Sequence, residues 1–296
     1  MIVVQQKKWV YLVVLTLIWG SSYILIKKSL IGLSPLQLGS IRILISTAIL
    51  LLIGYSSLKG LTKEQWKWIT VTGFIGTFFP SFFFAFAQTK IDSGVAAILN
   101  SLTPMATLFF GFFFFQFSIQ KRQIWGVLIG FVGSIWLVME DSSITLDQNL
   151  FYVGLIFTAS LCYALNVNIL KRHLQDVSAM AIALGNFIFI SIPALIILSF
   201  TGFFKAEVYQ SSEVWESFKY LLLLSFFGTV IGKIMFNKFI QFASPVFASS
   251  VTYTLPIVAI GWGVLDGETI NFWQLVAAGL ILYGVSLVNK KAPKQP

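Results

Sequence analysis

Charge is scarce in this chain. Only 10% of its 296 residues are Asp, Glu, Lys or Arg, against about 25% in soluble domains. That deficit excludes a water-covered globular surface and points to a membrane protein. Cysteine is nearly absent: the single Cys162 excludes an intrachain disulfide and a thiolate metal cluster. His173 is the only histidine, and no Asp or Glu falls deep inside an apolar segment. A bound metal and a buried carboxylate relay for protons are therefore not expected. HExxH, GxSxG and paired carboxylates within an apolar run are all missing, so neither an enzyme nor a cofactor is expected. Rings of charges or carbonyls that would build a channel filter are not visible either.

Apolar residues make up 57% of the chain, aromatics make up 16%, and mean hydropathy is +0.86. Ten apolar segments of spanning length can be drawn: Trp9–Leu30, Pro35–Ser57, Trp66–Gln88, Ser93–Phe115, Gln123–Met139, Leu150–Leu170, Ala179–Thr201, Phe218–Gln241, Pro245–Leu265 and Phe272–Val288. Runs of about 20 residues without strict alternation predict helices rather than barrel strands. The first run is long, has no small-residue cleavage site and is followed by further spans, so it reads as an uncleaved helix. With ten spans and a cytoplasmic N-terminus, thirteen of the twenty basic residues fall inside and five outside, while Arg42 and Lys233 lie within spans. This bias predicts that both termini are cytoplasmic. It also accounts for the net charge of +9 without a nucleic-acid partner.

The two halves of the chain resemble each other. At an offset of 152 residues, Gly76-Thr77 matches Gly228-Thr229, Ala96 matches Ala248, Pro104 matches Pro256 and Gly111 matches Gly263. At an offset of 144, Lys27-Lys28 matches Lys171-Arg172. Five spans per half is an odd number, so the second half enters the membrane from the opposite side. The expectation is an all-α polytopic membrane protein: ten transmembrane helices as two inverted five-helix repeats, residues 1–143 and 144–296, in one structural unit. Secondary transporters use this arrangement, with the site between the repeats near the bilayer midplane.

Trp19-Gly20-Ser21-Ser22-Tyr23 in the first span, Arg42 in the second and the stretch from Gly94 through Pro104 to Gln116 carry a family resemblance. So do Ala243-Ser244-Pro245, Pro256 and Gly267-Glu268 near the ninth span. Over essentially its full length the chain resembles the EamA-type carriers of the drug/metabolite transporter superfamily. The resemblance implies alternating-access transport of small metabolites and a bacterial inner-membrane location. Two positions depart from the family pattern: Gln116 stands where Glu is frequent, and Tyr163 stands where Trp is frequent.

Several residues are candidates for the site. Trp19 and Tyr23 are four apart and share a helix face. At the 144 offset Trp19 answers to Tyr163 and Ser22 to Asn166, so both sets are candidates to line one cavity or to pack helices. Arg42 and Lys233 are charges within spans that have no buried acid, and they read either as cavity residues or as snorkelling side chains. The offsets place Asn186 opposite Arg42 and Ser81 opposite Lys233. Asn100, Asn168, Asn237, Thr252 and Tyr253 are further polar groups in spans, and Asn100 and Tyr253 join the expected substrate contacts. Pro104 and Pro256 each remove a helical hydrogen bond. They read as kinks beside a cavity or as static shaping. The Phe runs Phe82–Phe84 and Phe112–Phe115 read chiefly as lipid-facing or filler.

The leading expectation is a secondary carrier exporting amino acids or related amphipathic metabolites across the inner membrane. The alternative is an anion-selective exchanger for organic acids or phosphorylated metabolites. The expected partners are a small-molecule substrate and the lipid bilayer, with the chain as a monomer or weak homodimer.

Overall fold

The computed structural model describes residues 2–91, 93–139, 150–265 and 272–289. Every regular element among these residues is helical. The first half contains α1 (Ile2–Ser29), α2 (Pro35–Gly54), α3 (Lys63–Ala87), α4 (Ser93–Phe113) and α5 (Lys121–Met139). The second half contains α6 (Leu150–His173), α7 (Ala179–Phe200), the short α8 (Ala206–Gln210), α9 (Ser212–Phe242), α10 (Pro245–Ser249), α11 (Val251–Leu265) and α12 (Phe272–Asn289). The expected junction at residues 143 and 144 lies outside the described residues, as do Gly267 and Glu268.

Among the described residues, seven helices are long and apolar enough to cross a membrane: α1, α2, α3, α4, α6, α7 and α9. Shorter apolar helices cover Pro245–Ala259 and Leu275–Val288, where the ninth and tenth spans were expected. The observed α9 begins at Ser212, six residues before the expected Phe218, because its first turn is amphipathic rather than apolar. Ring-bearing side chains such as Phe113, Phe114, Trp125 and Phe200 stand 61%, 67%, 63% and 86% exposed. A water-soluble protein would not present such a surface, but it matches hydrocarbon.

Local chemistry sets the helix starts. Ser34 before α2 and Thr62 before α3 form capping boxes with Gln37 and Gln65, each satisfying two orphan backbone donors. Ser178 caps α7 by accepting from Ala181 N, and it is the 144-offset twin of Ser34. The repeat therefore extends to the caps.

The packing is two-fold symmetric in its pairings. Helix α1 packs on α9 and α11, and its twin α6 packs on α3 and α4. Helix α2 packs on its own twin α7, and α5 on its twin α12. These twin pairs run antiparallel. Gln37 Nε2 donates to Thr201 O while Thr47 Oγ1 donates to Phe187 O. A Cβ on Gly126 would sit 2.7 Å from Gly284 O and one on Gly133 would sit 3.0 Å from Ile281, so the α5–α12 register also descends as α5 ascends. Only glycine allows backbones this close. In contrast, α1 and α11 run parallel: Thr16 bonds Thr254 and Trp262 Nε1 donates to Ser21 Oγ.

Three helices are irregular. The chain widens into π-helical turns at Phe74–Phe78 in α3 and at Leu224–Ile231 in α9. These segments contain the matched Gly76-Thr77 and Gly228-Thr229. In α4 a 3₁₀ turn at Asn100–Leu102 precedes Pro104. Proline is tolerated in the first turn of the helix that follows, and the Asn100 carbonyl it would have clashed with accepts from the Thr103 hydroxyl at 2.7 Å. In the second half the break comes at Ser250, between α10 and α11, and Pro256 lies inside α11. Ser249, Ser250, Thr252 and Thr254 each donate to the carbonyl three residues earlier. Such back-bonding competes with the helical ladder and bends it.

Candidate functional site

A cavity lies where the irregular turns of the two halves meet. It offers about 100 Å³ to the centres of water-sized molecules, several times the roughly 10–15 Å³ that holds one water. Helix α1 contributes Trp19, Ser22 and Tyr23, α2 contributes Arg42, and α4 contributes Asn100. Helix α6 contributes Tyr163 and Asn166, and α9 contributes Lys233. The eight sequence candidates therefore converge although they are spread over 215 residues of chain (19 to 233).

The ninth candidate, Tyr253, is not brought to this cavity. It is fully buried, its hydroxyl donates to Val127 O at 2.8 Å, and its ring lies 3.0 Å from where a Gly130 Cβ would be. Its neighbours Ser249, Val251 and Thr252 line the wall instead, because the break at Ser250 turns the Tyr253 ring toward α5. Asn168 and Asn237 also point elsewhere. Asn168 Nδ2 donates to Thr107 O on α4 and to Ala164 O within its own helix, both at 3.0 Å, and Asn237 Nδ2 donates to Ala179 O on α7 at 3.3 Å.

The two-fold relation continues into the cavity wall. The Trp19 ring lies 4.9 Å from Phe236, and its twin Tyr163 stacks on Phe84 at 6.1 Å. Phe84 and Phe236 are themselves twins at the 152 offset. Ser22 abuts Gly228, where a Cβ would meet its Oγ at 2.6 Å. Asn166 abuts Gly76, where a Cβ would meet its Cγ at 2.4 Å. Both glycines sit in the π-helical turns, which expose backbone polar atoms to the cavity side. Trp19 Nε1 donates to Gly228 O at 2.9 Å, and Lys233 Nζ donates to Gly76 O.

The charges break the symmetry. Arg42 Nε donates to Thr229 Oγ1 at 2.7 Å, and Thr229 Oγ1 in turn donates to Leu224 O at 3.2 Å. The guanidinium is thus anchored through one of its five N–H groups. The twin of Arg42, Asn186, is not at the cavity but faces Thr72 across the α3–α7 contact at 3.2 Å. Ser81, the twin of Lys233, lines the cavity without charge. Among the described residues no Asp or Glu lines the cavity, and neither cation pairs with a carboxylate. Two polar atoms in the wall have no hydrogen-bond partner among the described residues: Thr77 Oγ1 and Asn166 Oδ1.

At the Tyr23 end the wall is a closed network. Asn100 Nδ2 donates to Tyr23 Oη at 2.9 Å, and Asn100 Oδ1 accepts from Thr103 and Ser160 at 3.1 and 3.3 Å. That network holds both side chains rigid. Sequence reasoning did not single out Phe84, Phe236, Thr77 or Thr229 as wall residues. The 152 offset pairs all four, which is the signal that identifies them.

Comparison with known proteins fits this architecture. The EamA-like transporter family matches the chain twice, over residues 7–139 and 150–290. An uncharacterized transporter of Archaeoglobus fulgidus is 23% identical over 97% of this chain and 100% of its own length. The uncharacterized inner membrane transporter YedA of Escherichia coli K12 is 27% identical over 93% of this chain and 88% of its own. A Salmonella typhimurium protein named as a probable amino-acid metabolite efflux pump is 22% identical, covering 90% of each chain. A solved crystal structure superposes with a TM-score of 0.74 at 14% identity, covering 96% of both chains. From the double match and the helical architecture together, this chain is a multi-pass membrane protein belonging to the EamA-like transporter family.

Proposed function

We propose that this protein is a secondary carrier that exports small amphipathic metabolites, amino acids or related compounds, by alternating access, and that it has no catalytic role. The observation that carries this reading is the cavity itself. It sits between two antiparallel repeats, and both contribute matched aromatic pairs and matched π-helical turns to its wall. A site shared in this way opens to one side or the other when the two halves rock about it. The relative named as an amino-acid metabolite efflux pump supports the substrate class and the direction.

In this reading ten helical rods cross the bilayer as two inverted five-helix repeats. The α10–α11 pair forms the ninth rod, and α5 and α12 form the fifth and tenth. At 1.5 Å per residue, the 19 residues of α5 reach about 28 Å, close to the hydrocarbon thickness of about 30 Å. Both termini lie in the cytoplasm, in keeping with the excess of Lys and Arg on that side, and the closed bundle acts as a monomer or weak homodimer. A second reading, an anion-selective exchanger, is favoured by Arg42 and Lys233 facing a cavity that no acid lines among the described residues.

Purified protein in liposomes, loaded with a metabolite panel and assayed for counterflow, tests the carrier reading. Saturable uptake stimulated by substrate on the far side is the expected result. Flux that rises linearly with concentration and ignores internal substrate would overturn it.

A further inference from the structure

We propose that the cavity selects apolar carboxylates whose amino group is absent or acylated, and that it discriminates against zwitterionic amino acids. This rests on the carrier reading: of its substrate class it keeps the related amphipathic compounds and sets the free amino acids aside.

Arg42 and Lys233 both reach the cavity, and each is tied down by a single hydrogen bond, to Thr229 and to Gly76 O respectively. The terminal guanidinium nitrogens of Arg42 have no protein partner among the described residues. They form the planar fork that matches a carboxylate. Lys233 supplies a second positive charge with further N–H donors. A substrate carboxylate supplies the countercharge that the wall lacks.

The opposite requirement is met only by neutral groups. Recognition of a free ammonium group in a low-dielectric site is strongest with an acid, and otherwise relies on an aromatic cage or unoccupied oxygen acceptors. Among the described residues no Asp or Glu lines this cavity, and its rings, Thr77 Oγ1 and Asn166 Oδ1 carry partial charge alone. The two π-turn carbonyls on the cavity side, Gly76 O and Gly228 O, already accept from Lys233 and Trp19. An ammonium two bonds from a carboxylate held by two cations would meet them at short range, and these neutral groups offset the repulsion less than an acid would. Replacing it by hydrogen, or acylating it to a neutral amide, removes that cost and keeps the carboxylate. The rest of the substrate faces the ring pairs Trp19–Phe236 and Tyr163–Phe84, which suit an aromatic or branched apolar body.

The test uses the full-length protein in proteoliposomes, with counterflow of 3-phenylpropionate, N-acetyl-L-phenylalanine, L-phenylalanine and L-phenylalaninamide. The first two are expected to half-saturate at concentrations at least tenfold below L-phenylalanine, with the amide cation excluded. Ser81→Asp places an acid at the uncharged twin of Lys233 and is expected to bring L-phenylalanine to within threefold of the acids. Lys233→Gln is expected to erode the preference, while Lys233→Arg retains it and controls for folding. L-Phenylalanine carried as well as or better than the two acids would overturn this proposal and leave the carrier reading intact. If none of the four compounds moves, this proposal fails, and the wider metabolite panel then decides whether the carrier reading fails with it.

Discussion

At the scale of single residues, a few positions decide what the cavity does. Arg42→Gln or Lys233→Gln is expected to raise the half-saturation concentration of an anionic substrate about tenfold, or about 1.4 kcal/mol, with thermal stability little changed. Unchanged transport of every anion tested would show that both side chains serve only the membrane interface. Gly76→Ala is expected to abolish transport in a protein that still purifies as a single species, because the new methyl would overlap Asn166 at 2.4 Å. Away from the site, Gln116 adopts φ 55° at the end of α4, a left-handed conformation that costs an ordinary residue about 1 kcal/mol. Gln116→Gly is expected to raise the detergent melting temperature, and a fall would show that its side chain contributes more than the strain costs. The convergence of Trp19, Ser22, Arg42, Tyr163 and Lys233 was legible because charge within a span and twin positions are both sequence properties. The burial of Tyr253 was not, because it depends on the Ser250 break, and one residue of helical rotation there separates the cavity wall from the α5 contact.

At the scale of elements, α5 packs backbone to backbone on α12. A Cβ on Gly284 would lie 2.6 Å from Gly126 O and from Gly130 N, so the interface has no room for a methyl group. Gly284→Ala is expected to destabilise the fold by about 1–3 kcal/mol, the usual range for overpacking, read as a lower melting temperature in detergent. An unchanged melting point would mean that the two helices separate at little cost. The apolar runs made the helical, membrane-spanning architecture legible in the sequence, and the repeat order of Gly and Pro marked its two halves. The π-helical turns were not legible, since Gly76-Thr77 and Gly228-Thr229 stood out only as repeat markers. Their glycines pack against Asn166 and Ser22 on other helices, contacts that local propensity does not encode.

At the scale of the whole molecule, the twin helices run antiparallel, and the charge bias then predicts which face is cytoplasmic. Cys162 is the only cysteine, so a Cys162→Ser background gives a clean chain for labelling. Cysteines introduced one at a time at Lys59 and Asp176 should react with an impermeant maleimide only from the cytoplasmic side, and those at Thr89 and Gly202 only from the opposite side. Labelling of all four from one face would overturn the inverted arrangement.

The two π-helical turns also bear on how the molecule can change. A π-helical turn amounts to one residue more than an α-helix of the same span needs, so in genetic terms each is equivalent to one added codon in a regular helix. Phe74–Phe78 and Leu224–Ile231 occupy equivalent places in the two halves. Deleting one codon from either turn would rewind that helix and rotate everything beyond it by about 100°. A mutation that leaves composition, hydropathy and charge almost untouched would thereby carry Gly76 or Gly228 off the cavity.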